Sequence, residues 1–180
     1  MSRAAEHEDT YALACTVNGA SIRLDVPNHR TLLDFLRNDL GLIGAKRGCD
    51  VQVCGACTVL IDGLPVSACS VLALEAHGRT VETCEGLAQG GRLHVIQQAF
   101  VDCGALQCGF CTPGMVMTVR ALLAECPNPS ESQIVEYLSG NLCRCTGYKK
   151  IVEAIHVAAR AMAGAGPDRE RRRPPARPGG

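Results

Sequence analysis

Eight cysteines in two sets of four constrain this chain more than any apolar pattern in it. The first set is Cys49, Cys54 and Cys57, spaced C-x4-C-x2-C, with Cys69 following after a further stretch of chain. The second is Cys108 and Cys111 in C-x2-C, then Cys143 and Cys145 in C-x-C. Thiols held at such short intervals must either pair as disulfides or converge on metal, and either outcome cross-links a small fold. Convergence on metal suits a chain that is only 3% aromatic and has no Trp, because its cores have little bulk of their own.

Twelve cysteines in 180 residues would suggest disulfides in a secreted protein. The segment Met1–Thr10 is instead polar and acid-rich, with no apolar h-region, and no signal peptide is expected. No apolar run approaches the ~20 residues of a membrane span. These features predict a reducing, cytoplasmic setting, where clustered thiols bind metal.

C-x4-C-x2-C with a later cysteine is the spacing of a plant-type [2Fe–2S] loop. Three thiolates from one tight loop and one from elsewhere can surround a two-iron core. Gly55 and Ala56 let the backbone press against it. Zinc knuckles use paired C-x2-C units, so the match to zinc is poor. The second set is less specific: its spacing alone admits zinc or a [2Fe–2S] cluster. The expected positions of both its pairs, just before helices, favour anionic sulfur through the positive helix N-terminus, and Arg144 adds to this. Cys15 falls on the apolar face of a strand and reads as a core thiol. Cys84, Cys103 and Cys126 have no spacing argument and are expected to be inert. His7, His29, His77, His94 and His156 are scattered and form no metal-like pair.

Period-two alternation through Tyr11, Leu13, Cys15 and Val17, then Ile22, Leu24 and Val26, breaks at Asn18-Gly19 and predicts a hairpin. Thr31 opens a short helix with Leu32, Leu33, Phe35 and Leu36 on one face. The stretch 41–55 reads as loop. Asp62-Gly63 marks a second hairpin, and Thr80–Glu82 a last strand. After Cys84 the spacing turns helical, with Leu93, Ile96, Gln97 and Phe100 on one face and Gly104 at its end. A second helix starts with Thr112 as N-cap and Pro113 at its first position, and ends near Glu125. Ser130–Gln133 is a capping box opening a third helix, and Thr146 caps a fourth. The fold class is therefore α+β: a β-grasp domain over residues 11–84 and a four-helix bundle domain over 85–163. Tails cover 1–10 and 164–180.

The net charge is zero, but residues 166–180 carry five Arg against Asp168 and Glu170, leaving the rest of the chain at −3. The tail reads as a solubilising end, and nothing predicts a nucleic-acid surface. There is no P-loop, no G-x-G-x-x-G after a strand, and no nucleophile–base constellation. The chain can carry electrons but has no evident place for bond chemistry.

The run Gly48-Cys49 through Cys54-Gly55-Ala56-Cys57-Thr58-Val59 is one of three motifs that together resemble a known family. The others are Leu106-Gln107-Cys108-Gly109-Phe110-Cys111-Thr112-Pro113-Gly114 and Gly140-Asn141-Leu142-Cys143-Arg144-Cys145-Thr146-Gly147-Tyr148. The family is the small iron–sulfur subunits of the molybdenum hydroxylases, which include xanthine oxidase and aerobic carbon monoxide dehydrogenase. The resemblance spans about residues 11–162 and implies a plant-type ferredoxin domain followed by a helical domain, with [2Fe–2S] in both sets of cysteines. It implies a large partner subunit holding molybdopterin cytosine dinucleotide and a medium partner subunit holding FAD, assembled as a dimer of heterotrimers. Electrons would pass from molybdenum through the Cys108/Cys111/Cys143/Cys145 site, then the Cys49/Cys54/Cys57/Cys69 site, to flavin. Gln107 and Cys145 would lie against the pterin. The loop Asp50-Val51-Gln52-Val53 replaces the glycine-rich loop of the xanthine oxidase type. It is closer to bacterial three-subunit enzymes of the carbon monoxide dehydrogenase, nicotinate or isoquinoline type. Carbon monoxide, an aldehyde or an N-heterocycle remain candidate substrates of the complex. A free-standing two-cluster ferredoxin and a zinc-stabilised interaction module are the alternatives.

Overall fold

The computed structural model describes residues 9–164, so most of both expected tails, with His7, lies outside the described residues. Strands β1 (Thr10–Val17) and β2 (Ala20–Pro27) form an antiparallel hairpin in which Val17 pairs with Ala20. Asn18 and Gly19 make the two-residue turn at φ 50° and 84°, the left-handed conformation a right-twisted hairpin needs. The Asn18 side chain then ties this turn to the second half of the chain. Its Nδ2 donates to Thr83 Oγ1 at 2.9 Å, and its Oδ1 accepts from the Thr83 amide at 2.8 Å.

Helix α1 (Leu32–Asp34) starts where expected, with the Thr31 hydroxyl accepting from the Asp34 amide, but at Phe35–Asp39 it widens into a π-turn. Leu32, Leu33, Phe35 and Leu36 are all fully buried, and Asp34, Arg37, Asn38 and Asp39 form the face turned to solvent. The cause is enclosure: the amides of Leu32 and Leu33 donate to Val71 and Ala68 carbonyls of the segment before a 3-10 turn at Ala73–Ala76. Strands β3 (Thr58–Ile61) and β4 (Leu64–Ser67) form the second hairpin around Asp62-Gly63, and β5 (Thr80–Glu82) completes a five-stranded sheet. Its order is β2-β1-β5-β3-β4, mixed, with β1 and β5 parallel. The edge position of β2 explains why its alternation is weaker than the sequence suggests: Val26 is buried, but Leu24 is exposed.

The second half is helical. A short α2 (Cys84–Leu87), not anticipated, precedes α3 (Val95–Asp102), α4 (Thr112–Glu125), α5 (Glu131–Tyr137) and α6 (Lys149–Gly164). Helix α5 begins with the expected capping box, Ser130 and Gln133 each capping the other's end. Two expected caps move. The N-cap of α4 is Cys111, already in helical conformation, which puts Pro113 at the second helical position. Helix α6 begins only at Lys149, so Thr146 is not its cap. Helix α4 is apolar nearly all round, as a central helix must be.

Two apolar clusters follow this division. One gathers β1, α1 and one face of β3 (Val59, Ile61); the other gathers α3–α6. They meet through β3, whose Leu60 side chain belongs to the helical cluster. Nearby, α4 and the loop before β3 touch backbone to backbone. A Cβ on Gly114 would lie 2.1 Å from the Gly55 carbonyl oxygen. Only glycine fits such an approach.

Leu60→Ala is expected to lower unfolding free energy by about 2–5 kcal/mol, the usual cost of truncating a buried leucine. Leu64→Ala, exposed on the same hairpin, stays within about 0.5 kcal/mol of the parent. Urea titration of the purified chains checks both. Gly114→Ala lowers the melting temperature sharply. Gly140→Ala, where a Cβ meets nothing within 4 Å, leaves it nearly unchanged. Equal melting temperatures would mean that the backbone contact is absent in solution.

Candidate metal centres

All twelve cysteines are free thiols. Cys49, Cys54 and Cys57 come from the loop between α1 and β3, and Cys69 follows β4, so the β3–β4 hairpin returns the fourth thiol to the first three. The loop is held from outside by arginines. Arg37 donates to the carbonyls of Ile43 at 2.9 Å and Ala45 at 2.7 Å. Arg47 bridges Asp34, at 2.6 Å, and Asp50. Within the loop, Asp50 and Gln52 take left-handed φ values of 61° and 59°, uncommon for residues with side chains. That winding turns successive amides inward. Val51, Val53 and Cys54 donate to Cys49 Sγ at 3.5, 3.3 and 3.3 Å.

The consequence is electrostatic. Those three amides bring the Cys49 thiol down to about 6, so it is a thiolate at neutral pH. Cys57 is the opposite case: burial, reinforced by the neighbouring Cys69 sulfur, pushes it up to about 12. A cation arriving at this site would remove that penalty by pairing with the buried sulfur.

In the second set, Cys108 and Cys111 lie on the turn leading into α4, and Cys143 and Cys145 on the loop before α6. Cys108 and Cys145 are exposed, with their sulfurs 3.6 Å apart. Burial, with the adjacent Cys143 sulfur, drives Cys111 up to about 12. Burial also opposes ionisation of Cys143, but the Thr146 hydroxyl at 3.1 Å and amide at 3.4 Å donate to its sulfur and carry it below the usual thiol range. Thr146 therefore serves the sulfur directly, where the sequence reading gave it a helix end. Tyr148 has a related role: its hydroxyl accepts from the Cys143 amide at 2.8 Å and donates to the Asn141 carbonyl at 3.1 Å. Of the two helix N-termini expected at this site, only that of α4 is present, at Cys111. Arg144 is exposed. Gln107 and Cys145 lie side by side on the surface, Gln107 Nε2 donating to the Cys145 carbonyl at 3.1 Å.

The eight thiols meet as pairs. The Cys108 and Cys145 sulfurs are in contact, and the sulfurs of Cys49 and Cys54, of Cys57 and Cys69, and of Cys111 and Cys143 are neighbours. Among the described residues, no three His, Cys, Asp or Glu side chains gather round one point as ligands of a single ion do. Amides and a hydroxyl aimed at the sulfurs suit a thiolate-held cluster such as a two-iron core. The other four thiols stand apart: Cys15 is buried in the sheet core as expected, and Cys84, Cys103 and Cys126 are half-buried.

The two sites are also joined, which the spacing did not reveal. The buried Asn141 side chain accepts from the Thr118 hydroxyl at 2.9 Å and donates to the Gly55 carbonyl at 3.1 Å and to Thr58 Oγ1 at 3.4 Å. The next amide, Leu142, donates to the Cys54 carbonyl at 2.9 Å.

Known proteins share this arrangement. Residues 15–89 match the 2Fe-2S iron-sulfur cluster binding domain family, and residues 83–156 the [2Fe-2S] binding domain family. The nicotinate dehydrogenase small FeS subunit of Eubacterium barkeri is 46% identical over 147 residues, covering 82% of this chain and 94% of that protein. The xanthine dehydrogenase iron-sulfur-binding subunit of Escherichia coli O157:H7 is 45% identical over 152 residues, covering 83% and 94%. Among solved structures, quinoline 2-oxidoreductase from Pseudomonas putida 86 superposes with a TM-score of 0.83 at 46% identity, over 87% of this chain and 98% of the matched chain. Aldehyde oxidoreductase from Desulfovibrio gigas gives 0.82 at 39% identity, over 89% of this chain and 18% of that longer one. With both domains matched in order and identities of this size over most of its length, the chain belongs to the small [2Fe–2S] iron–sulfur subunits of the molybdenum hydroxylases.

Proposed function

We propose that this chain relays single electrons inside a molybdenum hydroxylase, entering at the Cys108/Cys111/Cys143/Cys145 site and leaving from the Cys49/Cys54/Cys57/Cys69 site. The observation that carries the reading is the contact between the two sites, whose loops are hydrogen-bonded to each other through Asn141 and Leu142. Each set of four thiols holds one [2Fe–2S] group, which when bound stores one electron. Within each site the thiols would hold that group as two pairs, Cys49 with Cys54 and Cys57 with Cys69, and Cys108 with Cys145 and Cys111 with Cys143. The amides on Cys49 and the Thr146 groups on Cys143 stabilise negative sulfur, which sets the potentials at which the chain accepts charge.

The donor is a large subunit carrying molybdopterin cytosine dinucleotide, and the acceptor a medium subunit carrying FAD, in a dimer of heterotrimers. Exposed Cys108, Cys145 and Gln107 present the entry site to the pterin. Leu106, Phe110 and Leu142 are exposed around the same thiols, an apolar surrounding that suits burial under a partner. Beside them a cavity of about 270 Å³ opens between α3 and α4, lined by Leu93, Phe100, Leu106 and Pro113. The two apolar clusters support a division into domains 11–84 and 85–163 with tails on either side. Clustered thiols that hold metal suit a reducing cytoplasm, and no helix among the described residues is long and apolar enough to cross a membrane. The substrate, whether carbon monoxide, an aldehyde or an N-heterocycle, is bound by the large subunit.

The purified full chain is expected to contain about four irons with matching labile sulfide and to give two distinct EPR signals on reduction. Zinc without sulfide would overturn this. Cys143→Ser removes one of the two signals and blocks electron flow from molybdenum in the complex, while the other signal remains. Co-purification with two larger subunits supports the assembled relay, and a lone monomer that reduces diverse acceptors contradicts it.

A further inference from the structure

The sequence offers no reason to single out Asn141 or Leu142 over their neighbours in the run 140–148. Their surroundings do. Asn141 is 4% exposed, and its side chain uses both ends: the carbonyl oxygen accepts from Thr118 of α4, and the amide donates to Gly55 and Thr58 of the first thiol loop. Thr58 Oγ1 also donates to the Gly55 carbonyl at 2.8 Å, which closes a small buried network. A buried amide so fully satisfied is rigid, because each alternative position leaves a polar group unpaired. Gly55 is pinned from the other side as well. A Cβ there would meet the Gly140 carbonyl oxygen at 2.3 Å, so the two backbones already touch.

This clamp fixes one bond in particular. The Leu142 amide donates to the Cys54 carbonyl at 2.9 Å. Cys54 is a ligand of the first site, and Leu142 is covalently attached to Cys143, a ligand of the second. The bond therefore completes an unbroken path from one thiol site to the other: Cys54 backbone, one hydrogen bond, Leu142 backbone, Cys143. A second approach, the half-exposed Phe110 ring 3.6 Å from where a Cβ on Gly48 would stand, carries no hydrogen bond. Electrons tunnel with less attenuation through bonds and hydrogen bonds than across gaps, so the first contact is the better conductor.

Resting on the relay reading above, we propose that the Leu142 amide to Cys54 carbonyl hydrogen bond is the electronic bridge between the two sites, and that Asn141 is the positioning residue that holds it. One electron crosses, the donor site is oxidised by one unit and the acceptor site reduced by one, and no bond or proton moves.

The test uses the full chain loaded with iron and sulfide. After a flash reduces it by less than one electron per chain, freeze-quench EPR follows redistribution between the two signals. Leu142→Pro removes the bridging N–H and sets the ring Cδ against the Cys54 carbonyl, so it opens this contact as well as deleting its donor. Leu142→Ala keeps that N–H and removes a half-exposed side chain. The expected result is redistribution several-fold slower in Leu142→Pro, unchanged in Leu142→Ala, and intermediate in Asn141→Ser, with the g-values of both signals preserved. The magnetic splitting between the two fully reduced sites should weaken in the same order. Unchanged rates and splitting in Leu142→Pro with both signals intact would overturn the bridge. If Leu142→Pro does not assemble, Asn141→Ser decides alone, and a parental rate there overturns the proposal. A parent chain without two signals would instead overturn the relay reading itself.

Discussion

The hydrogen bonds of one buried asparagine hold the two halves of this protein in register. Asn141 reaches from the end of the α5 segment to Gly55, in the middle of the first thiol loop, and takes its third partner from α4. Gly114 on α4 has no room for a side chain against the Gly55 carbonyl, and Gly55 has none against Gly140 and Asn141. Leu60 adds apolar contact by turning out of the sheet into the helical cluster. The first thiol loop is thus supported from both sides: by the arginines and α1 of its own half, and by the helices of the other. A loop with two non-glycine residues at positive φ needs that support, because its winding is locally unfavourable.

The same contacts give the chain its chemical character. Loop winding aims three amides at Cys49, and Thr146 aims two donors at Cys143. Cys57, buried, and Cys111, half-buried, are thiols that resist ionisation without a cation. Each site therefore combines a sulfur whose ionisation is eased by donors, Cys49 or Cys143, with one whose ionisation is resisted until a cation arrives. Such a mixture ties metal loading to proton release and to the final packing of the loops. The exposed sulfurs, Cys108 and Cys145, lie where a partner can approach, while the contact between the sites is buried.

Local features of the sequence were legible because their causes are local. Asn18-Gly19 and Asp62-Gly63 form the expected turns, Ser130 and Gln133 the expected capping box, and the cysteine spacings bring both sets of thiols together. What stayed hidden depends on residues far apart in the chain. The partners of Asn141 lie 83 and 86 positions away in the first loop, and no periodicity records such a pairing. Thr146 looked like a helix cap because a threonine before an apolar run usually is one; here two more residues, Gly147 and Tyr148, precede α6, and the hydroxyl turns to Cys143 instead. The π-turn after α1 was equally silent, since it arises from enclosure between the sheet and the 68–76 segment. The family resemblance carried by three short motifs extends over both domains because those motifs meet in space.

The central claim is that four pairs of thiols make two two-iron sites whose loops are hydrogen-bonded to each other. Anomalous diffraction at the iron edge from crystals of the loaded chain tests it most directly. The account predicts two pairs of iron peaks, one between Cys49/Cys54 and Cys57/Cys69, the other between Cys108/Cys145 and Cys111/Cys143. A single metal peak at either site, or peaks at Cys15, Cys84, Cys103 or Cys126, would contradict it.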